Sequence, residues 1–256
     1  MNQPIIERQF DNLSVSIYSD RQQMGLAAAD YVITKMQALL ALQDELRMIL
    51  AASVSQDDFL AEFSQSTEID WSRVTAFHMD EYIGLHENHP QTLGNYLRQH
   101  LFDHVPFKQV HFLDPAAKDP QVECQRYADL INAEPIDIIC LGIGENGHIA
   151  FNDPHVADFI DLKSVKIVEL DQTCRQQQIN DGCFAEISKV PKRAISITIP
   201  VFMQGRSLSI VVPGKRKAQA VYRTLHGKID ISCPASILRN HPDARMFLDQ
   251  DAAKKL

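Results

Sequence analysis

The sequence predicts an α/β fold: a doubly wound, mostly parallel sheet sandwiched by helices. Three observations carry this. Short apolar, β-rich runs recur along all 256 residues, longer helical patterns separate them, and several runs are apolar on both faces. A strand buried on both faces belongs to a parallel sheet covered by helices on either side. The strands are read in order as "LSVSIYS" (13–19), "LRMILAAS" (46–53), "RVTAFHM" (73–79), "QVHFLD" (109–114), "IDIICLG" (136–142), "VKIVEL" (165–170), "AISITIP" (194–200), "LSIVVP" (208–213) and "ARMFLD" (244–249). The architecture is Rossmann-like. No repeat, low-complexity tract or linker divides the chain, so a single domain over 1–256 is expected.

Composition excludes several function classes. A net charge of -8 gives no general affinity for nucleic acid or an anionic membrane, since phosphate is bound by basic surface and only "PGKRKAQ" (213–219) is densely basic. No run of about 18 apolar residues occurs, and the first ten residues lack the basic-then-apolar order of a secretory signal. A soluble, cytoplasmic protein is expected. The five cysteines, at 124, 140, 174, 183 and 233, form no CxxC pair and no finger spacing, so neither disulfides nor a metal site is expected; Cys140 reads as a small core hydrophobe.

In open parallel sheets ligands bind beyond the carboxyl ends of the strands. Four polar stretches occupy such places: "AASVSQDD" (51–58), "HMDEYIGL" (78–85), "GIGENGHIAFNDP" (142–154) and "PGKRKA" (213–218). In the second, Asp80 and Glu81 follow an apolar strand, which suits one carboxylate to general-base work in a crevice, although an acidic pair there also serves as a helix cap. In the third, His148 follows Gly147 and precedes Asp153 by five positions. That is either a turn histidine beside a solvated aspartate or an imidazole tuned by a carboxylate for proton transfer near neutral pH. Its glycines at 142, 144 and 147 match GxGxxG spacing, but they follow several strands instead of the first, so no dinucleotide is read from them. In the fourth, Lys217 falls on the first turn of a helix through "KAQAVYRTL", well placed for a phosphate monoester or simply solvated. Ser53 and Ser55 either add donors for the same anion or cap a helix.

These residues carry a resemblance that covers nearly the whole chain. "VTAFHMDEYIGL", "HPQTLGNYLRQHLFDHV", "LGIGENGHIAFNDP", "VPKRAISITI" and "GKRKAQAV" resemble, in order and separation, the glucosamine-6-phosphate deaminase/isomerase family. The resemblance implies a cofactor-free reaction in which a hexosamine 6-phosphate opens, a proton moves from C2 to C1, and the imine is hydrolysed to fructose 6-phosphate and ammonium. It implies that Asp80 shuttles the carbon-bound proton beside Glu81, that His148 opens the ring with Asn146 and Asp153 as orienting partners, and that Lys217 holds the phosphate. The partner it implies is a phosphorylated amino sugar, with the C4 configuration and any homo-oligomer left open.

The chain departs from the family pattern in three places. The 51–58 loop has no glycine, Asp153 stands where glutamate is commonest, and Gln178 falls at or near the position of a phosphate-binding arginine, with Arg175 one turn earlier. Residues of the allosteric site known in hexameric members are not evident in "HVADFIDLKSVKIVEL". Two further readings follow. The sister 6-phosphogluconolactonases share the fold, but Tyr82 and "NGHIAF" depart from their pattern, and a sugar-phosphate sensor without catalysis would have no use for the Asp80 and His148 pair.

Overall fold

The computed structural model describes residues 3–256. Eleven strands and seven α-helices follow one another as β1 (Ile6–Phe10), β2 (Leu13–Tyr18), α1 (Arg21–Leu40), β3 (Leu46–Leu50), α2 (Asp57–Phe63), β4 (Val74–His78), β5 (Asp80–Tyr82), α3 (Leu93–Leu97), β6 (Gln109–His111), α4 (Pro120–Asn132), β7 (Ile138–Leu141), β8 (Val165–Glu169), α5 (Gln172–Asn180), β9 (Arg193–Ile197), α6 (Ile199–Gln204), β10 (Ser207–Val212), α7 (Ala218–His226) and β11 (Ala244–Asp249). Eight strands form the main sheet in the order β1-β2-β11-β10-β7-β3-β4-β6, all neighbours parallel except the β1–β2 hairpin.

Alternation along the strands splits the core into two layers, because successive side chains point to opposite faces. Leu208, Ile210 and Val212 of β10, with Met246 and Leu248 of β11, face the layer closed by α4, α6 and α7. Met48 and Leu50 of β3, with Val211 and Phe247, face the layer closed by α1, α2 and α3. Asp20 caps α1 through the Gln23 amide, and Asp119 caps α4 just before Pro120, so both covering helices start where their orphan amides find an acceptor.

The mostly parallel α/β reading therefore holds, with one correction. The runs read at 165–170 and 194–200 do not join the main sheet. As β8 and β9 they pair antiparallel with β5 in a separate three-stranded sheet. Strand β5 is the continuation of β4 after one residue, Met79, so the chain leaves the parallel sheet and enters the small one at Asp80. In the main sheet, the chain runs outward from β3 through β4 to β6, then returns to the other side of β3 with β7. The crevice between the β3 and β7 ends is the switch point at which open sheets bind ligands.

Candidate active site

An open pocket lies at that switch point. All four strand-end stretches reach it. Ser53 and Ser55 come from beyond β3, Asp80 from beyond β4, Gly142, Gly144 and His148 from beyond β7, and Lys217 from beyond β10; Gln177 and Gln178 of α5 complete the rim.

Asp80 is 6 % exposed and lines the pocket. Burial, reinforced by the charge of neighbouring Glu81, holds its carboxyl well above the usual carboxylate range. A carboxylate in that state is a stronger base than one in water, which abstraction of a weakly acidic carbon-bound proton needs. Glu81 points the other way, as alternation along β5 requires, and does not line this pocket. Its carboxylate accepts the amides of Tyr82 (2.9 Å), Leu93 (3.0 Å) and Gly94 (2.9 Å), so it is Glu81 that takes the capping role, at the start of α3. Burial pushes the Glu81 carboxyl up to about 7 against the pull of those amides.

His148 sits on the pocket floor with its Nδ1 3.1 Å from Oδ1 of Asp153, a contact not aligned as a hydrogen bond. A backbone turn and a side-chain brace produce the approach. Ala150 takes a left-handed conformation (φ 49°), which turns the chain back on itself so that Asp153 returns to the imidazole. Asn146 then ties the loop: its carboxamide donates to Asp153 Oδ1 (2.8 Å) and Asp171 Oδ2 (2.9 Å) and accepts from the His148 amide (3.0 Å). Asn146 is thus a brace behind the pocket and does not line it. Asp153 is fully buried; burial raises its carboxyl, but His148, Asn146 and the Asp171 amide prevail and hold it below its ordinary value. An ionised carboxylate behind Nδ1 leaves Nε2 as the imidazole nitrogen available to the pocket.

Lys217 ends the short 3₁₀ turn Lys215–Lys217, one residue before α7 begins at Ala218. It is 6 % exposed, and among the described residues its ammonium makes no hydrogen bond or ion pair. The nearby carboxylates are already engaged, since Arg216 pairs with both Glu145 and Asp181. Burial lowers the Lys217 ammonium to about 8, with Asp181 and Glu145 pulling the other way. A buried cation without a partner is costly unless an anion completes it. Ser53 and Ser55 stand opposite, their hydroxyls 2.5 Å apart, and neither side chain caps the helical turn that follows. The carboxamide of Gln178 lines the same pocket.

Besides Glu81, two more residues expected to contact substrate, Arg175 and Gly147, are not brought there. Arg175 turns away and donates through Nη2 to the carbonyls of Ile187 (2.6 Å) and Val190 (3.0 Å), where it fastens the 187–190 turn; it does not stand in for the missing arginine. Gly147, at φ 89°, lies against Cys233, whose Sγ would be 2.6 Å from a Cβ at 147, so its role is to pack the loop. Other residues that shape the site were not singled out. Gly144 gives the imidazole its space, Gln177 fixes the loop by accepting the Glu145 amide (2.9 Å), and Tyr82, Phe151 and Cys174 form the apolar wall towards the small sheet. Of these, only Gly144 had a signal in the sequence, as one glycine of a polar strand-end loop.

A buried carboxyl and an imidazole set against an unpaired ammonium at the switch point define an α/β protein with acid–base groups and a seat for a small anion. The description "Glucosamine-6-phosphate isomerases/6-phosphogluconolactonase" belongs to a family whose model matches residues 19–247. A glucosamine-6-phosphate deaminase of Exiguobacterium sp. is 41% identical over 187 residues, 73% of this chain and 72% of that one. One of Listeria monocytogenes serotype 4a is 37% identical over 207 residues, 81% of this chain and 86% of that one. The chain belongs to this family. Among solved structures, a monomeric glucosamine-6-phosphate deaminase superposes with a TM-score of 0.86 at 27% identity, covering 94% of this chain and 99% of that one. A 6-phosphogluconolactonase from Thermotoga maritima reaches 0.76 at 17% identity over 93% and 99%, a likeness of fold.

Proposed function

We propose that the protein is a glucosamine-6-phosphate deaminase, converting glucosamine 6-phosphate and water to fructose 6-phosphate and ammonium. The observation that carries this reading is the presence of Asp80, His148 and unpaired Lys217 in one pocket. The phosphate takes the Lys217 ammonium, with the hydroxyls of Ser53 and Ser55 and the carboxamide of Gln178 as neutral donors. This anchors the sugar so that C1 and C2 lie over Asp80. His148, oriented by Asp153 and braced by Asn146, moves a proton between the anomeric hydroxyl and the ring oxygen through Nε2 and opens the ring. Asp80 takes the C2 proton and returns it to C1, which leaves an imine at C2. Water adds there, the C2–N bond breaks, and nitrogen leaves as ammonium. Every step is proton transfer or hydrolysis, so the chain's own groups suffice.

The experiment is ammonium release from glucosamine 6-phosphate and galactosamine 6-phosphate, beside hydrolysis of 6-phosphogluconolactone, with Asp80→Asn as control. Release from glucosamine 6-phosphate that disappears in the variant is expected. Lactone hydrolysis without ammonium release would overturn the reading in favour of the sister activity.

A further inference from the structure

One buried thiol has no part in that mechanism. Cys174, in the first turn of α5, is 0% exposed and belongs to the wall behind the imidazole. Its Sγ, a ring nitrogen of His148 and a carboxylate oxygen of Asp153 all lie within 4.8 Å of one another, and Nδ1 is the nitrogen that faces Asp153. Nδ1 is buried and makes no hydrogen bond among the described residues; it lies 3.1 Å from Oδ1 of Asp153 without being aligned with it.

We propose that His148, Asp153 and Cys174 form an inhibitory site for a borderline-soft divalent cation, zinc being the type, which captures the imidazole from behind. The donor set is one nitrogen, one oxygen and one sulfur. That mixture suits zinc, whereas magnesium and calcium prefer oxygen alone. Zinc–ligand bonds of about 2.0–2.3 Å set tetrahedral donors roughly 3–4 Å apart. The Nδ1–Oδ1 separation of 3.1 Å is already at that distance, so Sγ is the donor that must close in. The fourth position falls to water. Coordination releases the thiol proton to solvent as the S–Zn bond forms, and the proton that Nδ1 carries while it faces Asp153 moves to Nε2 as the metal takes the Nδ1 lone pair.

The consequence for catalysis follows from the tautomer and rests on the proposed role of His148. A ring metallated at Nδ1 is held in the other tautomer, with its proton on Nε2, so it has no lone pair facing the pocket with which to accept a proton from the sugar. The carboxylate that orients the ring is consumed as a ligand in the same event. Inhibition is therefore expected without displacement of the phosphate from Lys217, so zinc should lower kcat more than it raises KM.

The test has a readout that does not depend on turnover. Cobalt(II) is titrated into the metal-free protein and the near-ultraviolet thiolate-to-metal charge-transfer absorption is followed, with zinc as competitor. One equivalent per chain is expected to produce the band in the wild type, and Cys174→Ala is expected to lose it. In the ammonium-release assay, Cys174→Ala is expected to need at least ten-fold more zinc for half inhibition of its own metal-free rate. Cys174→Ser, nearer in volume, serves if the alanine variant does not fold. A wild type without the band, or a band that persists in either variant, would overturn the site. A band lost with Cys174 in a protein that releases no ammonium would uphold the metal site while removing the deaminase reading.

Discussion

A Cβ at position 144 would lie 2.1 Å from Cε1 of His148. The imidazole thus occupies the space that every other amino acid would fill at Gly144, and the glycine amide meanwhile accepts its place in the loop by donating to the His148 carbonyl at 2.9 Å. Gly144→Ala must therefore displace either the loop or the ring, and the ring is the softer of the two. A misplacement of about 1 Å at a catalytic group costs on the order of 100-fold. The expected outcome is a loss of that size in kcat with a modest change in KM, read from steady-state ammonium release. Gly142→Ala is the contrast, since its Cβ would meet Ser55 Oγ at 3.3 Å and Gln56 Nε2 at 3.1 Å, on the phosphate side, and should raise KM instead.

Asp153→Asn tests the orientation of His148. The substitution keeps the shape but removes the charge behind Nδ1, and places an amide where Asn146 and the Asp171 amide both donate. The imidazole loses its preferred tautomer, and one buried donor loses its acceptor. We expect kcat to fall by roughly 10²–10⁴-fold, the range for general acid–base catalysis, and stability to fall by about 1–3 kcal/mol from the unsatisfied donor. Unchanged turnover would remove Asp153 from the mechanism.

The pH dependence follows from the two perturbed groups. Asp80 acts as a base only when ionised, and its carboxyl titrates above the ordinary range, so kcat/KM should fall as the pH drops through a value higher than that of a solvated aspartate, about 3.9. On the alkaline side Lys217 loses its charge near 8 in the free protein, so kcat/KM should fall again above that pH through a rise in KM. Bound phosphate restores the ammonium, so the alkaline limb of kcat should lie at higher pH than that of kcat/KM. A profile with identical alkaline limbs would mean that Lys217 does not meet the phosphate.

The main sheet was legible because its strands are apolar on both faces, and the four strand-end stretches could be located once those runs were placed. What escaped was set by contacts distant in sequence. β1 is an exposed edge strand whose residues are mostly in solvent, so "IERQF" carries no apolar period. β5 is three residues long and begins with two acids, which reads as a turn until its antiparallel pairing with β9 is seen. β8 and β9 each hold a short run of apolar residues like those of the parallel strands, and periodicity does not tell which sheet a strand joins. Within the site, Asp80 and Glu81 look alike in sequence, but strand alternation turns one into the pocket and the other to amides 12 and 13 residues ahead. Arg175 and Gln178 share a helix, and only the position of the 187–190 carbonyls decides which of the two faces the pocket.

Lys217 exposes the conflict between binding and stability most directly. Its buried ammonium has no partner among the described residues, and its depressed value means that the unfolded chain, near 10.5, binds the proton more tightly than the folded one, near 8. Between those values the unfolded state holds more protons, so stability attributable to this residue rises with pH across the window of about 8 to 10.5 and its cost is fully present below 8. Lys217→Met keeps the length and apolar stem while removing the charge. The variant is expected to lose substrate binding, with KM raised at least 100-fold, yet to be more stable by on the order of 1–3 kcal/mol at pH 7. For a chain of this size that is a rise of roughly 2–12 °C in Tm. The stability difference should shrink as the pH is raised through the window, because the wild-type lysine becomes neutral in the folded state. Added glucosamine 6-phosphate should close the gap from the other direction, by stabilising the wild type through Lys217 and leaving the variant unchanged. Thermal melts at pH 7 and pH 10, with and without the sugar phosphate, measure all of this. A variant less stable than the wild type at pH 7 would mean that Lys217 is paired in the folded protein and is no vacant seat for an anion.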